Sequence, residues 1–110
     1  MVSNESFREL ALSFQGVEEN AHFERRAFKV VRKRIFATLH EEQRSANIKL
    51  SLEVQKLFCA YDKKGIYSVS NKWGLQGWTT FDLMRVPVEL ISEALFTAYN
   101  DVFKKMEKKN

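Results

Sequence analysis

Six of the ten residues from Arg25 to Arg34 are arginine or lysine (Arg25, Arg26, Lys29, Arg32, Lys33 and Arg34), and none is acidic. Cations at that density can neutralise successive phosphates of a nucleic-acid backbone, which supplies affinity without reading base sequence. The same run also reads as a solvated strand edge whose charge keeps other strands from adding to it. A second cluster is aromatic: Asn71-Lys72-Trp73-Gly74, then Gly77-Trp78-Thr79. An indole beside a lysine can stack on a base while the ammonium meets a phosphate. Alternatively, the glycines permit unusual backbone angles and the indoles anchor a loop against the core.

Other chemistry has little to stand on. His22, His40 and Cys59 lack zinc-site spacing, and no glycine-rich phosphate loop, nucleophile elbow or His-Glu metal motif occurs. The pairs Glu18-Glu19 and Glu41-Glu42 read as solvated loop carboxylates. The expectation is a non-enzymatic protein with no cofactor and no metal. Cys59, in Leu57-Phe58-Cys59-Ala60-Tyr61, reads as a structural thiol on the buried side of a helix. A small-molecule or metal site near His22, His40 or Trp73 would rest on the aromatic loop alone.

The elements that must position these residues follow from periodicity. Phe7, Leu10, Ala11 and Phe14 recur at helical spacing after the capping stretch Ser3-Asn4-Glu5, and the helix ends near Gly16. Gly16 to Asn20 reads as a connection. Residues 27–31 and 34–40 then alternate with a period of two, separated by Arg32-Lys33, and residues 46–50 alternate again, giving a three-stranded meander. Ser51 caps a second helix with an apolar stripe of Val54, Leu57, Phe58 and Tyr61. Residues 66–70 and 77–83 read as two further strands joined by the tryptophan loop. Pro87 opens the longest helix, striped by Leu90, Ile91, Ala94, Leu95, Ala98 and onward to Met106. The tail from Lys104 to Lys109 complements the dipole of that helix.

The fold class expected is α+β, a two-layer sandwich of order α-β(3)-α-β(2)-α, with helices on one face of an antiparallel sheet and one domain over residues 1–110. Alternation assigns Phe28, Val30, Ile35, Ala37, Leu39 and their counterparts to the core. It leaves Lys29, Phe36, Thr38, Asn47, Lys49, Trp78 and Thr80 on the other face. Phe36 and Trp78 are then rings with no helix to cover them. A folded-over loop, a second copy of the chain or a ligand platform flanked by Lys29 and Lys49 would each account for them.

Taken together, Leu10-Ala11-Leu12-Ser13, Gly16-Val17-Glu18-Glu19, His22-Phe23, Ala27-Phe28-Lys29-Val30, Ile35-Phe36-Ala37-Thr38-Leu39, Asn71-Lys72-Trp73-Gly74 and Gly77-Trp78-Thr79 resemble the MmcQ/YjbR family over nearly the whole chain. The resemblance implies a CyaY-like, secretion-chaperone-like fold and a DNA-binding role through a winged surface, without established catalytic residues. Two departures stand out. Phe14-Gln15-Gly16 replaces a Leu-Pro-Gly, and Arg32-Lys33-Arg34 replaces a glycine-containing hairpin turn, which makes this wing more basic.

Net charge of +4 and a pI near 9.3 fit an anionic partner. No apolar run is long enough for a membrane span, the first residues lack the pattern of a secretory signal, and a lone cysteine suits a reducing compartment, so a cytoplasmic location is expected. The leading expectation is a DNA-binding surface made of Arg25, Arg26, Lys29, Arg32, Lys33, Arg34, Lys49 and Lys72, with Trp73 and Trp78 as stacking rings. The rival is a protein-interaction or homodimerisation module using the open sheet face.

Overall fold

The computed structural model describes residues 1–107, with side chains as far as Lys104. The expected roles of Met106 and of the lysines beyond Lys104 lie outside the described side chains.

Helix α1 (Asn4–Leu12) begins at Ser3, whose hydroxyl accepts the Ser6 N–H and places Glu5 in the first turn, where a carboxylate complements the helix dipole. Four strands follow as an antiparallel meander: β1 (Val17–His22), β2 (Arg25–Val30), β3 (Ile35–His40) and β4 (Ser45–Lys49). Ser51 caps α2 (Leu52–Cys59) by accepting the Val54 N–H. The chain continues through β5 (Ile66–Ser68), the single turn α3 (Lys72–Leu75), β6 (Trp78–Asp82) and α4 (Val88–Glu107). Pro87 precedes α4, and its carbonyl accepts the N–H groups of Leu90 and Ile91. The sheet order is β1-β2-β3-β4-β6-β5, antiparallel throughout, so β6 enters between β4 and the earlier β5.

The α+β sandwich expected from the sequence is therefore present, with two more elements. The stretch read as a connection is strand β1. Its alternation is masked because its inward position Glu19 is a carboxylate, held there by the guanidinium groups of Arg8 from α1 and Arg26 from β2. The tryptophan loop also contains α3, too short to show periodicity.

Helices α1, α2 and α4 cover one face. Edge-to-face ring contacts mark the seams: Phe7 on Phe28, Phe58 on Phe81 and Tyr99 on Phe36. Along α2 the buried positions are Gln55 and Phe58, while Leu57 and Tyr61 are exposed. The stripe read from the sequence is thus rotated. Cys59 is half-buried, and burial pushes its thiol above the ordinary cysteine pKa, as suits an inert side chain. The Arg85 guanidinium donates to Asp62, holding its carboxyl below the usual range and joining the α2–β5 turn to the β6–α4 turn.

The parity reading fails at one place. Phe28 pairs with Ala37, but Lys29 pairs with Ile35, so β3 carries one extra residue, Phe36. That bulge reverses which side chains face inward. Phe36 is buried at 1% exposure among the helices, and Ile35 turns to the opposite face beside Thr38 and Asn47. Phe36 is consequently not one of two uncovered rings. No helix among the described residues is long and apolar enough to cross a membrane.

Candidate nucleic-acid interface

Antiparallel register brings the β2–β3 turn, the last residue of β4 and the first residue of β6 to one end of the sheet. Lys49 pairs with Trp78, and Arg34, Ile35 and Lys49 share a shallow groove against α4. The Val69 N–H donates to the Trp78 carbonyl, which carries the α3 turn to the same end. Arg32, Arg34, Lys49 and Lys72 are thus supplied by three separate stretches of chain to one rim, with Trp73 and Trp78 beside them.

The backbone there is tightly specified. A Cβ on Gly77 would sit 1.7 Å from the Leu50 carbonyl oxygen, and one on Gly74 would sit 1.9 Å from that of Val69. Gly77 also has φ +106°, a region that L side chains avoid. These glycines let the tryptophan turn lie directly on neighbouring backbone. Arg32 occupies the left-handed region at φ 65° in the hairpin turn, where glycine or asparagine is the ordinary choice.

Not every cation joins this rim. Arg26 points to the helix side and is neutralised by Glu19. Lys29 lies 3.6 Å from Glu18, its partner across β1 and β2. Lys33 folds back over the Phe103 ring, 5.4 Å from its centroid. Asp101 of α4 lines the groove with Arg34 and Lys49, so one carboxylate adjoins the rim. Arg25 stands at the far end of β2, in a cleft on the open face. The cations of residues 25–34 expected to share one DNA-binding surface are therefore divided, because alternation sends neighbouring cations to opposite faces.

The YjbR family model matches residues 12–101, from the end of α1 into α4. The chain belongs to the YjbR family. A crystal structure of a Deinococcus radiodurans protein with the family domain DUF419 superposes at a TM-score of 0.82, with 25% identity over 96% of this chain and 81% of that one. Comparison with curated proteins gives no match.

The YjbR fold holds the tryptophan turn through a residue the sequence reading passed over. Gln55, buried on α2, places its Nε2 3.2 Å from the Gly74 carbonyl, 3.2 Å from the Trp78 carbonyl and 3.1 Å from Thr79 Oγ1. Thr79 in turn donates to the Gly77 carbonyl. A polar residue among Val54, Phe58 and Cys59 was the available signal, since a glutamine on a helix's inner side needs partners. Gln55→Ala is expected to cost about 1–3 kcal/mol, because buried carbonyls lose their donor. Urea unfolding measures that loss, and a shift in tryptophan emission reports the loosened turn. Among the described residues no group of three His, Cys, Asp or Glu side chains could hold a metal ion.

Proposed function

We propose that this YjbR chain is a non-enzymatic, cytoplasmic DNA-binding protein that grips phosphates along the rim formed by Arg32, Arg34, Lys49 and Lys72. The observation that carries this reading is the placement of those cations, on the hairpin turn, at the last residue of β4 and on α3, at one end of the sheet. Phosphate contacts from separate elements fix the register of a duplex and give salt-dependent affinity. Trp73, 49% exposed with the Lys72 ammonium 5.8 Å from its ring centroid, offers a stacking surface at the same place.

The conformation of Arg32 adds support. An arginine in the left-handed region costs about 1–2 kcal/mol relative to a relaxed backbone, and strain of this kind concentrates at working surfaces. Arg32→Gly is therefore expected to raise stability by up to about 1 kcal/mol while weakening DNA binding. Urea midpoints and fluorescence anisotropy on the same preparation test this. A variant that gains stability and keeps full affinity would remove Arg32 from the interface.

The alternative is a protein-interaction or homodimerisation module on the open sheet face. With Phe36 in the core, that reading rests on Trp78 and the cleft beside it.

A further inference from the structure

The open face of the sheet holds a cleft of about 330 Å³, at the small end of the roughly 300 to 1,000 Å³ typical of ligand sites. Its two ends differ in chemistry. Toward the hairpin-turn end it is walled by Trp73, Trp78, Val69 and Ile35. Toward the β1–β2 turn it is lined by Arg25, with Thr38 between the two ends.

Arg25 is the one arginine or lysine among the lining residues, with His22 as its partner across the strands, and no carboxylate lines the cleft. Glu24, adjacent in sequence, lies instead 3.7 Å from His40 Nε2. Burial draws the Arg25 pKa below its ordinary value, with Glu24 opposing the shift. A guanidinium in this setting favours an anion that can meet it with two oxygens. One cation matches one negative charge, and the indole and aliphatic walls match a flat apolar body.

We infer that this cleft binds a small monocarboxylate with a planar apolar body, its carboxylate on Arg25 and its body against Trp73 and Trp78. The site shares Trp73 and Trp78 with the edge of the phosphate-gripping rim but does not rest on the nucleic-acid reading.

Both tryptophans of the chain line the cleft, so the indole N–H resonances report on this site. The full chain is titrated with 3-phenylpropionate and with its neutral amide, 3-phenylpropanamide. The acid is expected to shift both indole resonances saturably, and the amide to bind at least about tenfold more weakly. Arg25→Gln should bring the acid to the affinity of the amide and leave the amide unchanged. Should Arg25→Gln fail to fold, Arg25→Met takes its place and should weaken the acid but not the amide. Absence of any indole shift up to about 10 mM acid, equal binding of acid and amide, or undiminished acid binding by the folded variant would each overturn the inference.

Discussion

Phe36→Ala is expected to destabilise the protein by about 3–5 kcal/mol, the range for deleting a fully buried aromatic ring. The ring is 1% exposed and meets Tyr99 edge to face at 5.9 Å, so its removal leaves a cavity between sheet and α4 that packed neighbours fill only in part. Set against the roughly 5–15 kcal/mol that holds a domain of ordinary stability, the loss is large. Urea unfolding followed by circular dichroism measures it directly. A ring on the solvent face, as strict alternation along β3 assigns it, would cost under about 0.5 kcal/mol. The two registers of β3 are thus separated by a wide margin, and the same experiment tests the bulge between Phe28 and Lys29.

Arg32→Ala combined with Arg34→Ala is expected to lower DNA affinity at least about tenfold at low salt and to flatten the salt dependence by about two phosphate contacts. The effect should be uniform across base sequences, because nothing at the hairpin turn offers a base-reading pattern, only charge. Both residues are exposed in the turn, so the double variant should keep its fold. Arg26→Ala serves as the contrast. Its guanidinium is held by Glu19 on the helix side, and its loss should leave DNA affinity nearly unchanged while disturbing the β1–α1 contact. If the two variants weakened binding equally, general positive charge rather than the rim would be responsible.

The fold was largely legible because its long signals are strong. The stripe of α4, the capping serines at 3 and 51, and the period-two runs of β2, β3 and β4 each point to the observed element. What stayed hidden was polar or local. Strand β1 carries a glutamate where a core residue would normally mark the inner face, and that glutamate became readable only once Arg8 and Arg26 were seen around it. The single bulge at Phe36 is a one-residue event, invisible to periodicity, yet it exchanges a core ring for Ile35 on the open face. At the candidate site the residue types Arg32, Arg34, Lys49, Lys72, Trp73 and Trp78 were visible as chemistry, and register brings them to one end of the sheet. Arg26, Lys29 and Lys33 were not separable from them in sequence, because the carboxylates of Glu19 and Glu18 that pair with the first two, and the Phe103 ring under the third, come from elsewhere in the chain.

The central claim is that Arg32, Arg34, Lys49 and Lys72 act as one phosphate-binding rim, and the affinity of the unaltered protein for a labelled duplex across a series of salt concentrations tests it most directly. Four contacts imply a linear fall of log K with log salt at a slope of about −3 to −4, the same for unrelated duplex sequences. A slope near zero, or no binding at micromolar protein in low salt, would contradict it.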